Sequence, residues 1–60
     1  MKGVVLVSAT RAGKTIEGEV FGDLADRETL FSRLMNKHKI IHSQRLLWKL
    51  SNTTLIKEIK

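Results

Sequence analysis

The segment Ser8-Ala9-Thr10-Arg11-Ala12-Gly13-Lys14-Thr15 comes nearest to a chemical motif in this chain. Gly13-Lys14-Thr15 matches the end of a phosphate-binding loop, Gly-x-x-x-x-Gly-Lys-[Ser/Thr], whose backbone amides and lysine cradle phosphates. The first glycine of that loop is Ser8 here, which removes backbone freedom at the loop's entry. Residues 15 to 21 then alternate as a strand, where the motif requires a helix with its N-terminus facing the phosphates. A chain of 60 residues also has no room for the βαβ sheet and the magnesium-binding aspartate that complete such a site. Gly13-Lys14 therefore reads as a hairpin turn.

The other chemical combinations are weaker. His38 and His42 are four apart, a spacing that would share one face of a continuous helix. A zinc site needs further ligands, and Lys39-Ile40-Ile41 between them reads as a helix end, so both are expected at or near the surface. Glu17 and Glu19 fall on one face of a strand and could share a proton, but no pocket-sized chain surrounds them. They read as a solvated face, or as charges that discourage edge pairing. Any Ser/His/Asp triad would be an arbitrary choice among several serines. No catalytic residue, no metal and no other cofactor is expected, and a non-enzymatic protein is the reading that follows.

Charge is more informative. The formal net charge is +5, and it is unevenly placed. Residues 1 to 32 carry four bases against five acids, whereas residues 33 to 60 carry seven bases against one acid. The first part is thus net −1 and the second net +6, an asymmetry that bears on partners rather than on fold. Arg33, Lys37 and Lys39 along a helix, with Arg45 and Lys49 on the segment after it, form a candidate surface for DNA or RNA phosphates. Trp48 lies among these bases and could stack on a nucleobase if exposed. Its expected place on one face with Leu46 and Leu50 makes it a core residue instead.

These side chains need elements to hold them. Residues 3 to 10 are apolar and β-branched, as a strand requires, and residues 15 to 21 alternate as its return strand. Pairing Thr10 with Thr15 puts Val5, Val7, Ala9, Ile16 and Val20 on one face. Glu17, Glu19, Val4, Leu6 and Phe21 then share the other. Gly22-Asp23 breaks the strand, and Asp23 or Asp26 is placed to cap a helix in which Leu24, Leu30, Phe31, Leu34 and Met35 follow helical spacing. Lys37, His38 and Lys39 suit its C-terminal end.

The last third is ambiguous. Residues 44 to 50 are good helix formers, yet Ser51-Asn52-Thr53-Thr54 is turn-like. A turn at Asn52-Thr53 would pair Leu50 with Leu55, Trp48 with Lys57 and Leu46 with Ile59. This hairpin is the preferred reading, because Thr53, Thr54, Ile56 and Ile59 favour strand. The expected fold is α+β: a single small ββαββ domain over residues 1 to 60, an antiparallel sheet of two hairpins with one helix on a face.

Size sets the remaining expectations. A chain this short buries only about 60% of the surface its unfolded form exposes. It has no cysteine, so neither a disulfide framework nor a thiolate zinc site supports it. Oligomerisation is the remaining device, and a homo-oligomer is expected. The apolar run near the start spans four residues, Val4 to Val7, against about 7–15 in a secretory signal, and no run is long enough to span a membrane. A cytoplasmic protein with no membrane partner is the resulting expectation. Nucleic-acid binding through the basic half is one functional reading. A second is a protein-binding regulator or inhibitor, of the size of small phage or mobile-element accessory proteins, acting through a sheet edge or the Val4/Leu6/Phe21 surface, and a third is a structural subunit of a larger assembly joined through its edge strands.

Overall fold

The computed structural model describes residues 1–60. Three antiparallel strands carry one helix on one face. β1 (Lys2–Arg11) and β2 (Lys14–Asp23) form a hairpin, α1 (Arg27–Lys37) follows, a 3-10 segment (His42–Leu47) turns the chain back, and β3 (Lys49–Glu58) closes the sheet. The strand order is β2-β1-β3, so the most apolar strand is central and β2 and β3 are the edges. No helix is long and apolar enough to cross a membrane.

The hairpin has the expected register, with Thr10 opposite Thr15, and its turn is Ala12-Gly13. Both turn residues have positive φ, 48° and 80°, as the two-residue turn that matches strand twist demands. Val5, Val7, Ala9 and Val20 face α1 and are buried with Leu30, Leu34 and Met35. Burying a leucine such as Leu30 or Leu34 contributes about 1.5–3 kcal/mol. The helix can lie this close because Gly22 and Gly18 present no side chain to it. A Cβ on Gly22 would come within 2.8 Å of Leu30, and one on Gly18 within 3.2 Å of the Lys37 stem.

Asp26 caps α1, its carboxylate accepting from the Thr29 amide at 3.2 Å and the Thr29 hydroxyl at 2.7 Å. Asp23 serves the turn before it, accepting from the Ala25 amide at 2.9 Å. These bonds hold both carboxyls below the usual carboxylate range, chiefly through the Ala25 amide for Asp23 and the Thr29 hydroxyl for Asp26. At the other end, the Lys39 amide donates to the Asn36 carbonyl and the Ile40 amide to that of Met35. This is the closure in which a left-handed residue ends a helix, and that residue is Lys39, with φ of 55°.

The second hairpin is not formed. Residues 42 to 47 coil as the 3-10 segment, and Lys49–Glu58 is one continuous strand along β1. The sheet has three strands rather than four. Leu50 and Leu55 are an odd number of residues apart, so a regular strand would point them to opposite faces. A turn at Asn52-Thr53 would reunite them; the chain does so with a bulge instead. Opposite Ser8 and Ala9 the register shifts by one residue at Ser51, and it shifts again at Ile56. Trp48, Leu50 and Leu55 consequently all pack against the core. The long free side of β1 offers a ladder that two short strands could not match. Leu46, expected beside Trp48 and Leu50, belongs to the 3-10 segment and is 92% exposed.

Candidate interaction surfaces

Two kinds of surface can bind in a three-stranded sheet: its edges and the face its helix leaves open. Hydrogen-bond direction on each strand follows from the hairpin turn. Arg11 and Lys14 close it as a bonded pair, so odd-numbered residues of β1 bond to β2 and even-numbered ones face β3. In β2, Ile16, Gly18, Val20 and Gly22 therefore face β1, and Glu17, Glu19 and Phe21 turn their backbone groups outward.

Those outward carbonyls are occupied by α1. Arg33 donates to the Phe21 carbonyl, Lys37 to that of Glu19 at 2.8 Å, and His38 Nε2 lies 2.9 Å from that of Glu17. Helical spacing sets three donors against three carbonyls spaced two residues apart along the strand. The Lys37 stem crosses Gly18 on the way, so its methylenes cover sheet surface while the ammonium reaches the edge. Three successive outward carbonyls of the β2 edge are thus covered by side chains of the protein itself.

The sequence-derived cations are thus divided. Arg33 and Lys37 lie together at the β2 edge, bonded to backbone. Arg45 is half-buried and ties the helix end, donating to the Ile40 carbonyl at 3.1 Å and to the Asn36 side chain at 2.6 Å. Lys39 is exposed at the left-handed residue beyond α1. Lys49 lies across the sheet, opposite Thr10 on β3. Charge density in the sequence brought these five together; what each donor bonds to is a tertiary property.

The open face carries Val4, Leu6, Ser8 and Thr10 at its centre, none fully buried. Phe21 stands opposite Val4 on one side, and Ile56, the bulged residue beside Lys57, follows on the other. Phe21 and Ile56 are 50% and 52% exposed, so an apolar row crosses all three strands with nothing above it. By alternation, Lys2, Lys49 and Lys57 share this face with Glu17, Glu19 and Asp23: three cations mostly along β3 against three carboxylates along β2. The face is electrically balanced, acidic on one flank and basic on the other. Sequence patterning identified Val4, Leu6 and Phe21 here; Ile56 entered through the second bulge, which has no sequence signal.

A shallow groove of about 240 Å³ lies at one end of the hairpin, lined by Lys2, Phe21, Asp23, Asp26, Thr29 and Arg33. Both its carboxylates and its guanidinium are engaged: Asp23 with the Ala25 amide, Asp26 with Thr29, Arg33 with the Phe21 carbonyl. Compared with known proteins, the chain matches no protein-family model, no curated protein and no solved structure.

Proposed function

We propose that this chain is a non-enzymatic protein-binding module that acts through the open face of its sheet. The observation that carries the reading is the uncovered row Phe21–Val4–Ile56, with Leu6 beside it, on a face whose cations and carboxylates cancel. A phosphate-binding surface needs an excess of cations on one side, because each neutralised phosphate releases counterions. Here the five candidate cations are spread over a strand edge, a helix end and the opposite flank of the sheet. An apolar centre with a polar rim of both signs is the pattern of a protein interface. The partner segment would be apolar, with bases toward Glu17 and Glu19 and acids toward Lys49 and Lys57.

The test is a photo-crosslinking amino acid at Phe21 in the full chain, with the same group at Glu28 on the exposed side of α1 as control. Protein adducts of discrete mass from position 21 and not from position 28 support the reading. Adducts to nucleic acid at position 21, or equal labelling from both positions, would overturn it. DNA and RNA titrations at about 50 and 200 mM salt give the complementary result, since phosphate binding falls steeply over that range. Tight, salt-sensitive binding there would move the function to the basic residues.

A further inference from the structure

We propose that the β3 edge takes a second copy of this chain, β3 against β3, in one register with its twofold axis at Thr54. This concerns the edge and does not depend on what the open face binds. Even-numbered residues of β1 face β3, as the Ile59 amide bonded to the Lys2 carbonyl at 2.8 Å shows. Lys49, Asn52, Thr54 and Lys57 lie opposite those residues and spend their backbone groups on β1. Leu50, Thr53, Leu55 and Glu58 consequently turn theirs outward. The side-chain contact at this edge is Arg27 to the Thr53 hydroxyl, at 3.5 Å, and no side chain bonds to the outward backbone.

The spacing of those residues selects the partner. Bulges at Ser51 and Ile56 make the intervals between outward residues uneven, so a regular strand cannot satisfy all of them. Those intervals, from Leu50 to Thr53 to Leu55 to Glu58, are symmetric about Thr54. An antiparallel second copy centred there sets Leu50 against Glu58 of its mate and Thr53 against Leu55, so that each widened interval meets a widened interval. Sliding the axis to Thr53 loses this match and also places Lys49 directly opposite Lys57 twice over, where like charges repel. In the Thr54 register, Lys49 meets Ile59 and Lys57 meets Ser51.

Packing and closure favour the same partner. Leu50 and Leu55, on the helix side of β3, are only partly buried, and the twofold brings Leu55 diagonally beside its symmetry mate, so that the two small cores adjoin there. The chain exposes 4292 Å², against about 4,000 Å² for a compact monomer of its mass. Pairing gives a six-stranded sheet, β2-β1-β3-β3-β1-β2, whose two outer edges both have their Glu17, Glu19 and Phe21 carbonyls covered by Arg33, Lys37 and His38. Assembly therefore stops at two copies.

The chain has no cysteine, so the register can be read directly. Thr54 would form a non-hydrogen-bonded pair with its mate, at a Cα separation of about 4.5 Å that suits a disulfide. Thr54→Cys should give a covalent dimer in near-complete yield under mild oxidation, and Thr10→Cys, on the central strand, should give almost none. The unmodified chain should have twice the chain mass by light scattering at micromolar concentration. Thr53→Pro, which removes an outward amide and leaves the β1 ladder intact, should halve that mass with the circular dichroism unchanged. A monomer up to about 100 µM, or a dimer in which Thr54→Cys crosslinks no better than Thr10→Cys, would overturn the proposal. Should Thr53→Pro unfold, the cysteine comparison on the folded variants decides alone. Loss of this dimer with crosslinking from position 21 retained would separate its failure from that of the open-face reading.

Discussion

The two edges of this sheet are finished by opposite means. β2 is regular, and the helix lays Arg33, Lys37 and His38 along it, onto the carbonyls of Phe21, Glu19 and Glu17. β3 has no such cover and is broken instead by two bulges, with Lys49 and Lys57 near its ends. Both are recognised ways to keep an edge from pairing indiscriminately, but they differ in kind. Occupying the carbonyls takes the acceptors of the ladder from any incoming strand, regular or not. Bulging it shuts the edge to regular strands and leaves it open to one with the same interruptions. A sheet with one edge of each sort has a single place to grow.

The largest way to break this contrast is to lift the helix from the sheet. Leu34 is fully buried, lies 3.5 Å from where a Cβ on Gly18 would be, and sits one turn before His38. Leu34→Ala is expected to cost about 2–5 kcal/mol, by lost burial and an incompletely filled cavity. A domain of this length has only about 3–9 kcal/mol in all, so urea titration should find much of the variant unfolded or close to it. Whatever folds should bind amyloid dyes more readily than the parent, because the β2 edge loses its cover along with the core. A variant with an unchanged urea midpoint would mean that α1 does not hold this edge.

A narrower break leaves the core alone. The triple variant Arg33→Ala, Lys37→Ala, His38→Ala removes the donors and keeps Leu30, Leu34 and Met35. Each exposed hydrogen bond contributes about 0.5–1.5 kcal/mol, toward the low end for solvated groups, so the stability loss should be modest. Assembly should change more. With a free regular edge the protein should form a concentration-dependent ladder of larger species in sedimentation velocity. A variant with the parent's size distribution would show that β2 is protected by something other than these three side chains.

Much of the guarded side was legible in sequence. The β1–β2 register follows from one turn and strict alternation, and the faces of Val5, Val7, Ala9, Ile16 and Val20 follow from the register. The helix announces itself through its apolar spacing and the carboxylate of Asp26. The open side was not legible, because its decisive features are defects. An odd interval between Leu50 and Leu55 is compatible with a turn or with a bulge, and only the ten-residue length of β1 favours the bulge. The cations were legible as charge but not as contacts. Arg33 and Lys37 find partners 12 and 18 residues away, set by the angle at which α1 crosses β2 rather than by any local pattern.

The smallest effect expected here sharpens the contrast instead of breaking it. Lys39 holds the left-handed conformation that ends α1, at φ 55°, a position where a side chain is penalised and glycine is not. The turn it makes follows directly on His38 and so helps to set that ring against the Glu17 carbonyl. Lys39→Gly relieves the backbone penalty, about 1 kcal/mol, and leaves both closing hydrogen bonds of the turn available. Since about 1 kcal/mol moves the midpoint of a domain this size by roughly 4–8 °C, the variant should melt a few degrees higher. The gain would be partly offset by the freedom glycine adds to the unfolded chain. A tighter turn should also slow hydrogen exchange of the amides from His38 to Ile40 relative to those of β3. Lower stability in Lys39→Gly would mean that the lysine side chain itself holds this corner, and that the β2 edge relies on a fourth side chain.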